Sequence, residues 1–287
     1  MSAHAVSLPR RFARLVRFEH TVFALPFAYV GALLSVDGWP GWEAMAWVTL
    51  AMVGARTLAM ALNRIVDAEL DARNPRTAAR ELPAGALSRP QVVALCVAAL
   101  GAYLLAVFSL DPVVRWLWPI PVAAFVVYPY LKRFTWLCHL WLGACLGLAP
   151  VGAWLAVTGS APWEAWALGA AVCIWVAGFD LFYSLFDLEH DREEGLHSWA
   201  TRFGESGVFP GARVLHLLTV ALLATVGWGL GSGVWYWAGV AAAGGLLLYE
   251  HRIVRPGDLR RLDAAFFAVN GVISVIFLCF VAVDTLL

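Results

Sequence analysis

Apolar residues come in long runs separated by short charged stretches, at 19–36, 43–66, 91–109, 113–130, 136–157, 163–186, 210–230, 233–250 and 264–286. A helix needs about 20 predominantly apolar residues to cross the hydrocarbon core of a bilayer. Runs of this length without period-two alternation predict spanning helices and not the strands of a barrel. The pattern therefore predicts an all-α integral membrane protein with nine spans. Trp39, Trp42, Trp116, Trp118, Trp163 and Trp235 fall near run ends, where indole rings anchor at the membrane interface. Gly143 and Gly147 form a small-xxx-small pair in the fifth run, which predicts a close helix contact.

The charged stretches set the topology. Basic residues gather at the N-terminus and in alternate loops: Arg73, Arg76, Arg80 and Arg89; Lys132 and Arg133; Arg192 and Arg202; Arg252, Arg255, Arg260 and Arg261. The intervening loops, near Asp37, Asp111, Ser160 and Gly231, hold almost none, with Arg115 the exception. Basic loops stay cytoplasmic, so the N-terminus is expected inside, the C-terminus outside and the number of spans odd. Arg10, Arg11, Arg14 and Arg17 precede a long first run with no small-residue cleavage site. Residues 1–18 therefore read as a mature cytoplasmic or interfacial segment of a single membrane domain, 1–287.

Composition removes other classes. The chain is 61% hydrophobic and 14% charged, against roughly 25% charged in soluble domains, so disorder is excluded. Lys+Arg and Asp+Glu each number 20, which leaves no basic field for nucleic acid. The cysteines (Cys96, Cys138, Cys145, Cys173, Cys279) lie in or beside apolar runs without a CxxC pair. They read as packing residues.

The chemistry sits where acids meet the ends of two runs. The second run closes with Arg56, Asn63, Asp67 and Asp71, which share one stripe when placed at helical period. Asp67 and Asp71 are four residues apart, about 6 Å along a helix axis. The sixth run repeats the device with Asp180, Asp187 and Asp191, spaced seven and four. Like charges at i,i+4 repel, and acids at a helix C-terminus oppose its dipole. A divalent cation removes both penalties. Oxygen ligands favour Mg²⁺ or Ca²⁺, and Mg²⁺ completes its shell with water and substrate phosphate. Arg73, Arg76, Arg80 and Lys132 would meet the phosphate oxygens. The alternative for the Arg group is a positive-inside loop, and for Tyr128 and Lys132 an aromatic and a snorkelling anchor. His190 and His197 read as solvated loop histidines.

Asn63, Asp67 and Asp71 form an NxxxDxxxD pattern, and Asp187 and Asp191 a second DxxxD. Tyr128 and Lys132 form a YxxxK element. These, with the stretch 17–27 and the loop from Asn74 to Gly85, resemble the UbiA-type intramembrane aromatic prenyltransferases of quinone biosynthesis. The resemblance covers nearly the whole chain. It implies nine helices around a central cavity open to lipid, in an enzyme that joins an isoprenoid diphosphate to an acceptor. It further implies that Asn63, Asp67, Asp71, Asp187 and Asp191 hold Mg²⁺ and diphosphate, and that Lys132 with Arg73, Arg76 and Arg80 binds the diphosphate. Arg56 would lie near the aromatic acceptor, paired either with its carboxylate or with Asp180, and Asp180 would accept a proton. Phe179, Phe182, Tyr183 and Phe186 would shelter an allylic cation.

The implied partners are a polyprenyl diphosphate, a hydroxylated aromatic acid and membrane lipid. The acid is 4-hydroxybenzoate or 1,4-dihydroxy-6-naphthoate, with the 74–85 loop similar to the naphthoate type. The implied setting is the bacterial inner membrane, with the site towards the cytoplasm. A cation-coupled transporter is the rival from another class, since intramembrane acids suit that too.

Overall fold

The computed structural model describes residues 7–16, 24–255 and 268–287. Part of the 17–27 stretch, Arg17 itself, Arg260, Arg261 and the start of the last apolar run lie outside the described residues. The described residues form helices: α1 Leu8–Leu15, α2 Leu25–Val36, α3 Trp42–Val66, α4 Ala68–Arg73, α5 Arg89–Ser109, α6 Val114–Leu117, α7 Pro119–Leu131, α8 Cys138–Thr158, α9 Trp163–Tyr183, α10 Leu188–Glu193, α11 Trp199–Leu230, α12 Val234–Ile253 and α13 Asn270–Leu286. A 3₁₀ turn, Ser184–Asp187, joins α9 to α10.

Each apolar run contains a helix. Six stretches are long and apolar enough to cross a membrane: Trp42–Val66, Arg89–Ser109, Val114–Leu131, Cys138–Thr158, Trp163–Glu193 and Trp199–Leu230. Two apolar helices are shorter, Leu25–Val36 and Asn270–Leu286. α12 carries Glu250, His251 and Arg252 in its last turns, which lowers its apolar content. Large side chains such as Val97, Leu105, Leu217 and Trp228 face outward, as a lipid-facing surface requires.

The seventh run departs from expectation. Its helix begins at Trp199, eleven residues before the expected start at 210, and is kinked at Gly204 (φ 69°, ψ 179°). That backbone conformation is accessible to glycine at no steric cost. A Ser198–Thr201 capping box starts the helix.

Aromatic and aliphatic side chains from α2, α8, α9, α11, α12 and α13 make the largest core, which includes Phe27, Trp175, Tyr236 and Phe277. A second core joins α2, α3, α5 and α8. α1 is docked: Leu15 is buried, its carbonyl accepts from Arg64 Nε at 3.3 Å, and Arg11 Nη1 donates to the Ala86 carbonyl at 2.9 Å.

The glycine pair behaves as expected. A Cβ on Gly143 would lie 2.0 Å from the Cys173 carbonyl oxygen, and one on Gly147 would lie 2.4 Å from that of Gly169. α8 and α9 therefore touch backbone to backbone, which positions His139 beside Asp180. Gly143→Ala should force these helices apart at a cost of about 1–3 kcal/mol. A lower thermal midpoint in detergent, larger than that of Gly152→Ala, where nothing lies within 4 Å, is the expected result.

Candidate active site

The polar stripe of α3 is delivered by helical period. Val48, Ala51, Met52, Ala55, Arg56, Ala59, Met60 and Asn63 all line one cavity. The helix then breaks at Asp67 (φ −92°, ψ 4°) and restarts as α4. The second motif does the same. α9 ends at Tyr183, the 3₁₀ turn follows, and Asp187 (φ −105°, ψ 4°) leads into α10.

This corrects the expectation of two continuous acidic helix ends. Asp71 and Asp191 stand in the first turns of new short helices, where acids favour the dipole instead of opposing it. Asp67 and Asp187 occupy the N-cap positions but make no side-chain cap bond. A capping Asp ordinarily gives its carboxylate to the helix N–H groups, and here both carboxylates are given to cations.

Lys132 Nζ lies 2.9 Å from Asp67 Oδ2, and Arg133 Nη2 lies 3.6 Å from Asp67 Oδ1. Asn63 Nδ2 donates to Asp67 Oδ2 at 3.1 Å. Arg80 Nη1 donates to both oxygens of Asp71, at 2.7 and 2.8 Å, with Arg64 at 3.9 Å. The 74–80 loop also reaches the second motif. Asn74 Nδ2 and Arg76 Nε each donate to Asp187 Oδ1 at 2.9 Å, and Arg76 Nη2 donates to Asp187 Oδ2. Arg76 Nη1 donates to the Tyr183 hydroxyl at 2.9 Å. Burial works against the Arg76 charge, but the bonds to Asp187 and Tyr183 outweigh it and raise its pKa.

Asp191, half-buried, has no ion-pair partner among the described residues. Asp67 Oδ1 is buried and accepts no hydrogen bond from the described residues.

Two cationic neighbours depart from the expected set. Arg73 is exposed and bonds Glu194 at 2.9 Å, bracing the two motif segments from outside the cavity wall. Arg133, which the sequence placed only among the basic loop residues, donates to the Val66 carbonyl at 3.1 Å and so holds the break before Asp67.

Asp180 is bonded by a residue that sequence reasoning missed. His139 Nδ1 lies 2.7 Å from Asp180 Oδ2, and the Trp199 backbone N–H donates to His139 Nε2 at 3.2 Å. Asp180 is thus hydrogen-bonded by His139. The one available signal was a histidine inside an apolar run, where polar groups are costly.

These groups surround a cavity of about 580 Å³. Asn63, Asp67, Asp71, Arg76, Arg80, Lys132, Asp187, Asp191, His190 and His197 line it together with Arg56, Tyr128, His139 and Asp180. Most of the rest of its wall is apolar, including Val107, Leu117, Phe125, Leu146, Leu155 and Trp166. Trp118, expected as an interfacial anchor, lines this wall instead. Among the aromatics expected near a cation, Phe179 and Tyr183 line the cavity. Phe182 is turned into a separate core with Phe209, against which Phe186 packs.

Residues 24–272 match the UbiA prenyltransferase family. The chain belongs to that family. It is similar to the 4-hydroxybenzoate octaprenyltransferase of Aromatoleum aromaticum, 29% identical over 273 residues, covering 94% of this chain and 92% of that protein. The 4-hydroxybenzoate octaprenyltransferase of Saccharophagus degradans is 31% identical over 271 residues, covering 93% and 90%. The apo structure of a UbiA homolog from Aeropyrum pernix K1 superposes with a TM-score of 0.85 at 34% identity, covering 93% of this chain and 98% of that one. A UbiA homolog from Archaeoglobus fulgidus, bound to DMAPP and Mg²⁺, shares the fold with a TM-score of 0.72 at 17% identity, covering 96% and 99%. This UbiA-family chain is therefore an integral membrane prenyltransferase, and family membership removes the transporter reading.

Proposed function

We propose that this enzyme transfers a polyprenyl group from its diphosphate to a hydroxylated aromatic carboxylic acid, 4-hydroxybenzoate or 1,4-dihydroxy-6-naphthoate, with Mg²⁺ as cofactor. One observation carries the reading: a single cavity joins a wall of acids and fixed cations to an apolar bore. An amphiphile with a diphosphate head and an isoprenoid tail has that same division. The names of the relatives and the DMAPP and Mg²⁺ of the Archaeoglobus protein point the same way.

The donors suit a hard cation by chemistry. They are carboxylate and amide oxygens, one of them the buried Asp67 Oδ1, which accepts no hydrogen bond from the described residues. No three acids converge on one point among the described residues, and Mg²⁺ needs only one or two carboxylates with water and phosphate. Asp67, Asp71, Asp187 and Asp191, with Asn63, would hold Mg²⁺. Bound there, the ion would neutralise the leaving diphosphate. Arg76, Arg80 and Lys132 now rest on carboxylates. They would exchange them for diphosphate oxygens, fixed charges aimed where negative charge develops.

The allylic C–O bond breaks and its electron pair leaves with the diphosphate. Phe179 and Tyr183, which line the cavity, would shelter the cation. Tyr128 closes the wall beside Lys132 one helical turn away, and apolar side chains keep water out. The ring attacks, Asp180 takes the ring proton, and Arg56 binds the acceptor's carboxylate.

The same reading has nine crossings, with the charged end of the cavity towards the cytoplasm of a bacterial inner membrane. Reporter fusions should place the loop around Arg76 inside and the C-terminus outside; a cytoplasmic C-terminus would remove the odd count. Purified protein with Mg²⁺, a polyprenyl diphosphate and a panel of aromatic acids should give a product of prenyl-plus-acid mass. Transfer to none of the hydroxylated acids, with transfer to another acceptor class, would overturn the assignment.

A further inference from the structure

We propose that His139 is a positioning residue for proton removal: it holds Asp180 so that one carboxylate oxygen is kept for the acceptor ring. The inference rests on Asp180 being the base. His139 is the second residue of α8 and is buried at 6% exposure. Trp199 is the first residue of α11, so its backbone N–H is one of the donors that a helix leaves without an internal partner.

That N–H donates to His139 Nε2 at 3.2 Å. A backbone amide can only donate, so Nε2 must present its lone pair and Nδ1 must carry the proton. Nδ1–H then donates to Asp180 Oδ2 at 2.7 Å. The direction of this chain cannot reverse. Three helices, α8, α9 and α11, thereby orient one carboxylate, with Oδ2 engaged and Oδ1 left for substrate.

In the step this serves, the C–H bond at the prenylated ring carbon breaks. Its electron pair returns to the ring and restores aromaticity, and the proton goes to Asp180 Oδ1. Cationic ring and carboxylate become neutral ring and carboxylic acid, so charge balances. His139 does not take the proton onward. Its Nδ1 is already protonated and its Nε2 lone pair is already used by Trp199. The imidazole therefore orients the base and does not relay through it.

The test compares His139→Ala, His139→Asn and Asp180→Asn, with acceptor protiated or deuterated at the prenylated carbon. A hydrogen bond to a charged group typically contributes enough that His139→Ala should lower kcat about 10- to 100-fold. Proton removal then limits turnover, so a primary isotope effect should appear that exceeds the wild-type value. KM for the prenyl diphosphate should stay within about twofold. His139→Asn, whose amide N–H can reach the same oxygen, should recover most of kcat.

Wild-type kcat with no added isotope effect in His139→Ala would overturn the proposal, as would a His139→Asn no better than His139→Ala. If His139→Ala does not fold, the isotope effect of His139→Asn against that of wild type in a folded sample decides alone: a small rise supports the role, and an isotope effect equal to the wild-type value overturns it. Asp180→Asn separates the two ideas. An active Asp180→Asn removes the base itself. An inactive one alongside an unimpaired His139→Ala removes only the positioning role.

Discussion

Asp67→Ala and Asp191→Ala should each lower turnover by about 10²–10⁴, since metal stabilisation of a leaving group contributes several kcal/mol. The two variants differ in what else they remove. Asp67 neutralises Lys132 and approaches Arg133, whose side chains are 31% and 36% exposed. Stranding such partly solvated cations costs little stability. Asp191 has no cationic partner among the described residues, so its loss strands nothing. Equal losses of activity from both, with little change in thermal midpoint, would therefore report ligand loss and not disordered charge. EDTA should abolish activity in the wild type, and added Mg²⁺ should restore it. Full turnover in EDTA, or in both variants, would sink the metal assignment.

Arg56→Ala should raise KM for the aromatic acid about 10- to 100-fold, the typical worth of charge-assisted hydrogen bonds to a carboxylate, with the KM for prenyl diphosphate little changed. Arg56 lines the cavity seven residues before Asn63, about 10 Å deeper along the axis of α3. It is thus deeper than the acids proposed to face the diphosphate. A guanidinium at that depth keeps polar company, and in the proposed reaction the acceptor's carboxylate matches its fork. Arg56→Lys should fall between, because an ammonium keeps the charge and loses the bidentate fork. Equal KM increases for both substrates would assign Arg56 to the diphosphate site, and a normal KM for the acid would make it structural.

Asp67, Asp71, Asp187 and Asp191 were visible in the chain because acids at spacing four near an apolar run break rules that are local. The breaks that carry them were not. Val66-Asp67-Ala68 and Phe186-Asp187-Leu188 contain no Gly or Pro, so nothing local stops the helix. The breaks accompany distant bonds, such as Arg133 on the Val66 carbonyl, 67 residues away in sequence. His139 was hidden for the same reason, with partners 41 and 60 residues off. The start of α11 was misplaced because Pro210, normally a helix starter or breaker, lies inside it. Arg73 was grouped with Arg76 and Arg80 by position alone. Which of three neighbouring arginines faces inward depends on the loop's path, and a charge count does not carry that.

The breaks at Asp67 and Asp187 also bear on how the enzyme sits in bilayers of different thickness. A span that is too long for its membrane tilts. A rigid helix carrying the ligands would swing them as it tilted. Here α3 is joined to its short acidic helix by the single non-helical residue Asp67, and α9 to its own by the 3₁₀ turn Ser184–Asp187. The two short helices are tied to each other through Asn74, Arg76, Arg73 and Glu194. The acids thus belong mechanically to a cross-linked layer at one end of the helices, and the spans can adjust to lipid length while the spacing between the two motifs is kept.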